Sequence, residues 1–335
     1  SRFYKNKLLL KKANERLERL LSWQSEEGWF EEYGGFDLGY ETLTFSCLIE
    51  ISRLSTTFKS KLVNVIRKNA SLIISCIEPD FCLGGELYAR GTWNFFSHGL
   101  ISYSIENNIN ILPLLLKVIE ARFEKYSVSV KDDYIIQHHL WSDLISLNLL
   151  KKILKLNVFK NEFIQSKQKI FFDKFLEKSG HLFISHGNLK THVSIMMGGL
   201  FRCYKNNKLL TQETQNILKI KKDFFMANSL NKEIKFEWIR ENHLIIKGNL
   251  CKYKKTKMDT IKLIFLRIIM FSIGKYIPNI IRALMQKVLV NPQFEKNRLF
   301  EREFIFDKDK LKVKDKYYLP KNDLNNIEIK KFSFS

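Results

Sequence analysis

Proline and glycine are scarce in this sequence of 335 residues, which contains 5 and 14 of them. Such low contents exclude collagen-like repeats and long linkers rich in proline and glycine. Hydrophobic residues make up 45% of the chain, which is enough for a large core and excludes global disorder. The composition therefore predicts a folded protein of one large domain or two ordinary ones.

Cysteine is also rare. The chain has five cysteines, which is an odd number, and no two of them have the Cys-x-x-Cys spacing. A disulfide framework and a structural zinc site both need such patterns, and a His-Glu-x-x-His motif is missing as well. We therefore expect no metal site. We interpret the five thiols as buried or incidental side chains: Cys47, Cys76, Cys82, Cys203 and Cys251.

Acidic residues are deficient in the second half of the chain. Residues 1–175 carry 24 basic and 20 acidic side chains, a net charge of +4, whereas residues 176–335 carry 32 and 15, a net charge of +17. This asymmetry predicts an anionic partner, such as an acidic polysaccharide or an acidic lipid surface. Nucleic acid is not expected, because no helix-turn-helix, zinc-finger or RNA-recognition signature accompanies the charge.

Long uncharged apolar runs are absent too. The most apolar stretch is residues 261–290, but its first run, Ile261–Gly274, contains Lys262 and Arg267 and is too short to cross a bilayer comfortably. We interpret 261–290 as two short basic amphipathic helices, which lie either on an anionic membrane surface or on the protein's own helices. A hairpin inserted in the membrane is the remaining alternative.

Apolar residues recur at helical spacing through the first half of the chain. The first helical segment follows closely on Ser1, with neither a methionine nor a signal peptide before it, so we expect the chain to be the C-terminal part of a longer protein. Six helices are predicted in this half: Lys7–Gln24, Leu43–Leu54, Phe58–Ile77, Phe95–Glu106, Ile111–Tyr126 and Leu140–Leu156.

Near residue 180 the pattern changes to alternating apolar and polar residues, which is typical of strands in an antiparallel sheet. A hairpin turn is predicted at Asp307–Lys310, because aspartate favours turns. The predicted strands are His181–His186, His192–Met196, Glu233–Arg240, His243–Lys254, Glu303–Phe306, Lys310–Tyr318 and Ile327–Phe334. The fold class is therefore α+β, with a helical domain over residues 1–175 and a sheet domain over residues 176–335.

Two loops rich in aromatic residues, glycine and carboxylates, residues 28–40 and 84–98, separate predicted helices. Their Gly-Gly pairs, at 34–35 and 84–85, are fifty residues apart, and a third polar segment, 132–139, follows at a similar interval. One helical hairpin per period, with its loop at the same end each time, predicts an array or toroid whose loops border one cleft.

Helices, rim loops and then an antiparallel sheet occur in this order in heparinase II/III-like proteins, and this chain resembles that family. The resemblance rests on the two loops, on His181–Gly199 and on Phe300–Asp315, which is similar to the family's strand-turn-strand element ending in Asp. It implies an incomplete α/α toroid of helical hairpins, followed by an antiparallel β-sandwich into which 261–290 is inserted.

The same resemblance implies a function. The chain is similar to polysaccharide lyases and their relatives, which cleave an acidic polysaccharide by β-elimination without an organic cofactor. Uncharacterised members are encoded beside bacterial surface-polysaccharide genes, so we expect a role in surface-polysaccharide metabolism. The periplasm or the membrane periphery is then the favoured location, with the cytoplasmic face as the alternative.

A lyase acting on a uronic acid must neutralise the sugar carboxylate, remove the C5 proton and protonate the leaving oxygen. In the 84–98 loop, Arg90 and Asn94 suit the carboxylate. His98 suits the base, because imidazole titrates near neutrality, and Tyr88 suits the acid if Arg90 lowers its pKa. The competing interpretation is structural: Arg90 pairs with a nearby glutamate, and His98 caps the following helix.

Other side chains of the loops and the junction are candidates for binding the polysaccharide, because aromatic rings stack on sugar faces and polar groups bind hydroxyls. Trp29 and Phe30 alternatively anchor the 28–40 loop in the core, and Asp37 alternatively caps a helix. His186 and His192 lie at the domain junction, where the resemblance implies a catalytic or metal-binding histidine, with packing as the other role. The candidates are Trp29, Glu32, Tyr33, Asp37, Tyr40, Glu86, Trp93, His139 and His186.

Two other functions fit the same features. A glycoside hydrolase would need two carboxylates about 5–9.5 Å apart, for which Glu32 and Glu86 are candidates. A non-catalytic protein would instead bind nascent polysaccharide at a membrane, through the basic second half and residues 261–290.

Overall fold

The structure of the chain is a computed structural model that describes residues 6–32, 34–55, 57–107, 109–124, 136–155, 173–253, 260–274, 276–277, 293–323 and 327–334. Helices occupy the first part of the chain and an antiparallel sheet the second, so the predicted α+β class is confirmed. One further helix interrupts the strands of the sheet, inside the segment 261–290 that the sequence singled out.

The helices predicted from apolar periodicity are confirmed, with ends that differ by a few residues. Asn6 caps the first helix by accepting from the N–H groups of Leu8 and Leu9, and Asp37 caps the second by accepting from that of Tyr40. The described helices are α1 Lys7–Leu21, α2 Leu38–Leu54, α3 Lys59–Ser75, α4 Ser97–Glu106, α5 Leu112–Glu124, α6 Ile136–Lys155 and α7 Thr260–Ile269.

Helix α4 makes the most extensive contacts with other helices in the described part of the chain. Helix α4 packs against α2 on one side and α6 on the other, while α3 contacts α2 and α5 contacts α4. In α4 the residues from Ser97 to Ser104 are all buried, whereas in α1 only Leu17 is buried. Helix α4 is therefore far more buried than α1, and the loops before α2 and α4 lie side by side.

The strands form one hydrogen-bonded sheet in which each described pair is antiparallel. Its order is β1-β2-β3-β4-β5-β6-β8-β9-β10, with β7 paired to β8 and β11 paired to β5. The described strands are β1 Lys174–Leu176, β2 His181–His186, β3 Leu189–Ser194, β4 Leu200–Lys205, β5 Lys208–Ile220, β6 Asp223–Met226, β7 Lys235–Arg240, β8 His243–Tyr253, β9 Gln293–Asp307, β10 Lys310–Tyr318 and β11 Ile327–Phe334.

The sheet confirms the predicted strands and adds four that the sequence did not reveal. Strands β10 and β11 have the predicted bounds, and the predicted turn at 307–310 joins β9 to β10. In that turn Asp309 has a φ of 60°, a left-handed conformation that aspartate tolerates. Strands β1, β4, β5 and β6 were not predicted.

The sheet curls so that its early and late strands face each other. The Phe201 ring of β4 meets the Phe304 ring of β9 at 5.7 Å between centres. The turn between β2 and β3 touches the turn between β9 and β10, where the N–H of Asn188 donates to Asp309 Oδ1 at 2.5 Å. The curled sheet thus encloses a second apolar core, separate from that of the helices.

The helical core continues into the sheet, because Phe183, Leu200 and Tyr204 pack in the same apolar cluster as the helices. Polar contacts join the parts as well: Glu27 accepts from the backbone N–H groups of Lys178 and Ser179 at 2.7 and 3.1 Å. The end of the helical array that carries the loops therefore lies against the first hairpin of the sheet.

Candidate functional site

The two aromatic loops lie side by side, as their spacing predicted. The buried carboxylate of Asp37 accepts from the N–H of Arg90 at 2.9 Å and from the hydroxyl of Thr92 at 2.6 Å. The N–H of Ala89 also donates to the carbonyl of Phe36 at 3.0 Å. Asp37 therefore both caps α2, which was the structural alternative to binding sugar, and fastens one loop to the other.

Glu41, in the first turn of α2, binds the backbone at the start of the 28–40 loop. Its buried carboxyl accepts from the N–H of Phe30 at 3.1 Å and from the side-chain amide of Asn69 at 2.5 Å. The same amide donates to the carbonyl of Gly28 at 2.9 Å. Burial raises the pKa of Glu41 to about 8, so its protonated form prevails at neutral pH.

The raised pKa of Glu41 predicts a loss of stability as pH rises. The unfolded chain ionises at the ordinary value of 4.5 and the folded one only near 8, so stability is full below 4.5 and falls as pH climbs through this interval. Between pH 5 and 8 the free energy of unfolding should fall by roughly 3 kcal/mol, and Glu41→Gln should remove this fall. Urea unfolding at several pH values measures both.

The matched control is Glu120→Gln, on the exposed side of α5. It should leave the pH dependence of the wild type unchanged, because Glu120 is exposed and takes no part in the contacts of Glu41. Parallel stability curves for the wild type and Glu41→Gln would show that Glu41 is already ionised in the fold.

A chain of buried polar side chains crosses the junction of helices and sheet. Glu78, in the segment after α3, accepts from His192 of β3, with 2.6 Å between Oε1 and Nδ1. His192 Nε2 lies 2.9 Å from His181 Nδ1 on β2. The ring of Tyr88, from the second loop, stacks on His181 with 4.6 Å between centres. Each of these four side chains is at most 2% exposed.

The register of the first hairpin brings the two histidines together. Strands β2 and β3 pair so that His181 lies opposite Ser194 and Phe183 lies opposite His192. His181 and His192 are then diagonal neighbours on one face of the hairpin, within reach of each other's rings. The ring of Phe183 stacks on that of His192 at 4.0 Å and closes the apolar side of the pair.

Arg202 of β4 contributes a positive charge to the cluster. Its guanidinium donates to Glu78 at 3.5 Å, to the carbonyl of Gly84 at 3.1 Å and to Glu86 at 3.3 Å. The ring of Trp93 covers it at 4.8 Å. A side chain at Gly85 would collide with both the guanidinium and this ring, so the glycine pair lets the loop close over Arg202.

Burial and charge together set the ionisation of the cluster. Burial alone would lower the pKa of Arg202, but surrounding thiol, phenol and carboxyl groups, Glu78 included, raise it well above its usual range. Burial alone would raise the pKa of Glu78, but His192 and Arg202 outweigh it and lower that pKa. Burial lowers the pKa of both histidines, so we assign neutral imidazoles beside an ionised Glu78.

This assignment fixes which ring nitrogens of His181 and His192 donate hydrogen bonds. With Glu78 ionised, His192 donates its Nδ1 proton to the carboxylate, and His181 donates its own Nδ1 proton to His192 Nε2. The Nε2 atom of His181 then carries a lone pair. An imidazole oriented by a second group that a carboxylate holds is a suitable general base.

The hydroxyl of Tyr88 completes the set. Its oxygen is buried and has no hydrogen-bond partner in the part of the chain that the structure describes. Burial raises the pKa of Tyr88 well above its ordinary value, although Arg202 opposes the rise, so the phenol keeps its proton. A buried hydroxyl without a partner is costly unless something else uses it, and a protonated phenol beside an imidazole is an acid beside a base.

No protein-family model, curated protein or solved structure matches this chain. Its function must therefore be inferred from the geometry of the cluster formed by Glu78, Tyr88, His181, His192 and Arg202. The resemblance to heparinase II/III-like proteins likewise remains a prediction from the sequence.

The structure changes the roles expected within the 84–98 loop. Tyr88 was expected to have a pKa lowered by Arg90, but burial raises that pKa, and the arginine that opposes the rise is Arg202. Arg90 itself is exposed, and its backbone N–H is held by Asp37. Asn94 is half-buried where Gly39 of α2 meets its backbone.

His98 lies elsewhere in the fold. It is buried in α4, where Nδ1 lies 2.8 Å from the hydroxyl of Ser142 and the ring meets Trp141 at 4.9 Å, both on α6. Burial, helped by Arg53, lowers the pKa of His98 to about 4, so the expectation that it titrates near neutrality is wrong. The expected helix cap is wrong too, because no side chain caps α4.

The aromatic residues predicted to bind sugar fall into two groups. Trp29 is buried, with its indole N–H donating to Glu27 at 2.9 Å, so it anchors the 28–40 loop as the structural alternative predicted. Trp93 is half-buried over Arg202 and donates to Glu86 at 3.0 Å, and Tyr40 is half-buried on α2. Of these rings, Trp93 therefore lies nearest the cluster.

The remaining candidates are dispersed. The backbone of Glu32 closes a small turn with Gly35, its N–H donating at 2.8 Å. His186 packs between the hairpin turns, with its ring nitrogens 2.9 Å from Thr191 Oγ1 and from the carbonyl of Asp307. His139 belongs to α6, and Tyr33, like residues 132–135, lies outside the described residues.

Sequence reasoning missed Glu78, His181 and Arg202 as site residues, and it left His192 with two alternative roles. A signal existed for the histidines, because a tight turn at Gly187-Asn188 fixes the register that puts both on one face of the hairpin. No local signal existed for Glu78, whose partner His192 lies 114 residues further along the chain.

Proposed function

We propose that the protein is a polysaccharide lyase-like enzyme that cleaves an acidic, uronate-containing polysaccharide by β-elimination, in bacterial surface-polysaccharide metabolism. One observation carries the proposal: the ring of Tyr88, whose buried hydroxyl has no partner among the described residues, stacks on His181, which His192 links to the carboxylate of Glu78. A protonated phenol and an oriented neutral imidazole are the acid and base that elimination requires.

The proposed reaction moves two protons. His181 takes the proton from C5 of the uronate, and the electrons of that C–H bond form the C4–C5 double bond as the bond from C4 to the glycosidic oxygen breaks. Tyr88 gives its proton to the departing oxygen. The proton gained by His181 then restores the phenol, while Glu78, through His192, stabilises the transient imidazolium.

Arg202 is the proposed binding group for the sugar carboxylate. Its guanidinium already donates to the carboxylate of Glu86, a side chain that is 40% exposed. A uronate presents the same chemical group, so it can take the place of Glu86 on Arg202. The exposed side of Glu86, beside the ring of Trp93, is then the entrance through which substrate reaches an otherwise buried cluster.

The arrangement of the helices supports the finer part of the fold proposal. The contacts of α4 with α2, α5 and α6 fit an incomplete α/α toroid, and a single curled sheet stands where the family has a β-sandwich. Together they support assignment to the heparinase II/III-like architecture, with the site at the junction of the two parts. The periplasm or the membrane periphery is the proposed location.

The hydrolase alternative has less support. It needs a glutamate free to act as general acid, with a second carboxylate across the sugar ring. Glu86 instead directs its two oxygens at Arg202 and Trp93, at 3.3 and 3.0 Å. In that position Glu86 occupies the place of a substrate carboxylate on Arg202 and is not free to donate a proton.

An absorbance assay tests the proposed activity. Incubation with a panel of uronate polymers should raise the ultraviolet absorbance for at least one of them, because elimination conjugates a C4–C5 double bond with the carboxylate. A neutral glucan is the control and should show no change. New reducing ends without absorbance would indicate a hydrolase, and binding without either product would indicate the non-catalytic function.

A further inference from the structure

Helix α7 and the π-helical turn after it, Met270–Gly274, present apolar side chains to solvent. Phe271 is 83% exposed, the highest value among the large hydrophobic residues that the structure describes, and Phe265 is 64% exposed. Others in this segment, at least 39% exposed, are Ile264, Ile268, Met270, Tyr276 and Ile277. Such a patch indicates a binding surface, and it argues against the expectation that these described residues pack on the protein's own helices.

The apolar side chains share one face with a positive charge at its edge. Ile264, Ile268 and Phe271 recur at helical spacing, and Arg267 and Ser272 border the same shallow surface. Arg267 is exposed, and the exposed Tyr276 follows the turn. An apolar face flanked by arginine and tyrosine is the composition of segments that lie at membrane interfaces.

Charge identifies the partner. The sequence from Thr260 to Phe294 contains no acidic residue and five basic ones, Lys262, Arg267, Lys275, Arg282 and Lys287, within a half of the chain whose net charge is +17. A second copy of the chain would bring the same positive charge to the same face. An anionic lipid surface complements both the charge and the apolar side chains.

The described part of this segment is suited to lie on a bilayer. Among the residues for which the structure gives a placement, none belongs to a helix long and apolar enough to cross a membrane. The exposed apolar face and the positive charge lead us to propose that α7 and the turn after it bind an anionic membrane surface, with Phe265, Ile268 and Phe271 among the acyl chains and Arg267 at the level of the phosphates. The enzyme would then act on polysaccharide at a membrane.

Vesicle flotation tests this proposal without reference to catalysis. The protein should float with vesicles of phosphatidylcholine and phosphatidylglycerol, and binding should weaken as salt is added. The triple variant Phe265→Ser, Ile268→Ser, Phe271→Ser should reduce the partition coefficient by about tenfold or more, since three large apolar side chains no longer insert. The matched control, Leu8→Ser, Leu9→Ser, Leu10→Ser, changes three exposed leucines of α1 and should bind like the wild type.

A second variant keeps the test decisive if the triple variant misfolds. Arg267→Gln preserves the apolar face and should weaken binding to anionic vesicles, while binding to pure phosphatidylcholine changes little. Absence of binding to anionic vesicles, or equal binding by wild type and the α7 variants, would overturn the proposal. Sedimentation showing a dimer that only the triple variant loses, without vesicle binding, would assign the face to a second copy of the chain.

Discussion

The variant Tyr88→Phe should lose eliminative cleavage by about 10²–10⁴-fold, the usual contribution of one general acid, and should unfold at the same urea concentration as the wild type or a higher one. The two expectations have one cause. The hydroxyl is buried and unpartnered among the described residues, so its removal costs the fold nothing. The ring that stacks on His181 remains in place.

This combination separates a catalytic role from a structural one. Initial rates of absorbance change and urea unfolding curves, measured on the same preparation, give both quantities. Tyr103→Phe is the matched control, because Tyr103 is also largely buried, packs edge-on against Phe45 and lies on α4 outside the cluster. It should keep its rate. A Tyr88→Phe protein that keeps full activity, or that loses activity only in proportion to its stability, would contradict the role of the phenol.

Local periodicity predicted α3 and β10 well, because burial and exposure follow the period of each element along its residues. The same reasoning failed for β4 and β5. Strand β4 is buried along both faces except at its last residue, so it shows no alternation. Strand β5 is polar through Thr211–Asn216 and is held by pairing with β4, β6 and β11, and such tertiary pairing overrides local preference.

The candidate site was predictable only in part, for a related reason. Glycine pairs and aromatic residues distinguish the two loops in the sequence, so Tyr88 was identified as a candidate site residue from the sequence. Its partners come from β2, β3 and β4, which reach it only because the sheet docks on the helical core through Phe183 and Tyr204. Composition placed the candidate acid-base residues within the 84–98 loop, whereas the fold brings Tyr88 of that loop against the histidines of the hairpin.

The variant Arg202→Met should lower the free energy of unfolding by about 3–5 kcal/mol, the range for leaving a buried charge without its partner. The guanidinium is 1% exposed and faces Glu78, which is fully buried. Methionine fills much of the volume beneath Trp93 but leaves that carboxylate without its cation. The deficit should shrink in acid, because Glu78 can then be neutralised by protonation.

Two further variants show whether charge is the cause. Arg202→Met combined with Glu78→Gln should recover most of the lost stability, because a neutral pair replaces the ionic one. Arg53→Met removes an exposed arginine that bridges Glu50 and Glu106, and should cost less than about 1 kcal/mol. Equal destabilisation in the single and double variants would instead assign the loss to packing under Trp93. Arg202 would then be a structural residue of the loop, and the proposed carboxylate site would lose its main support.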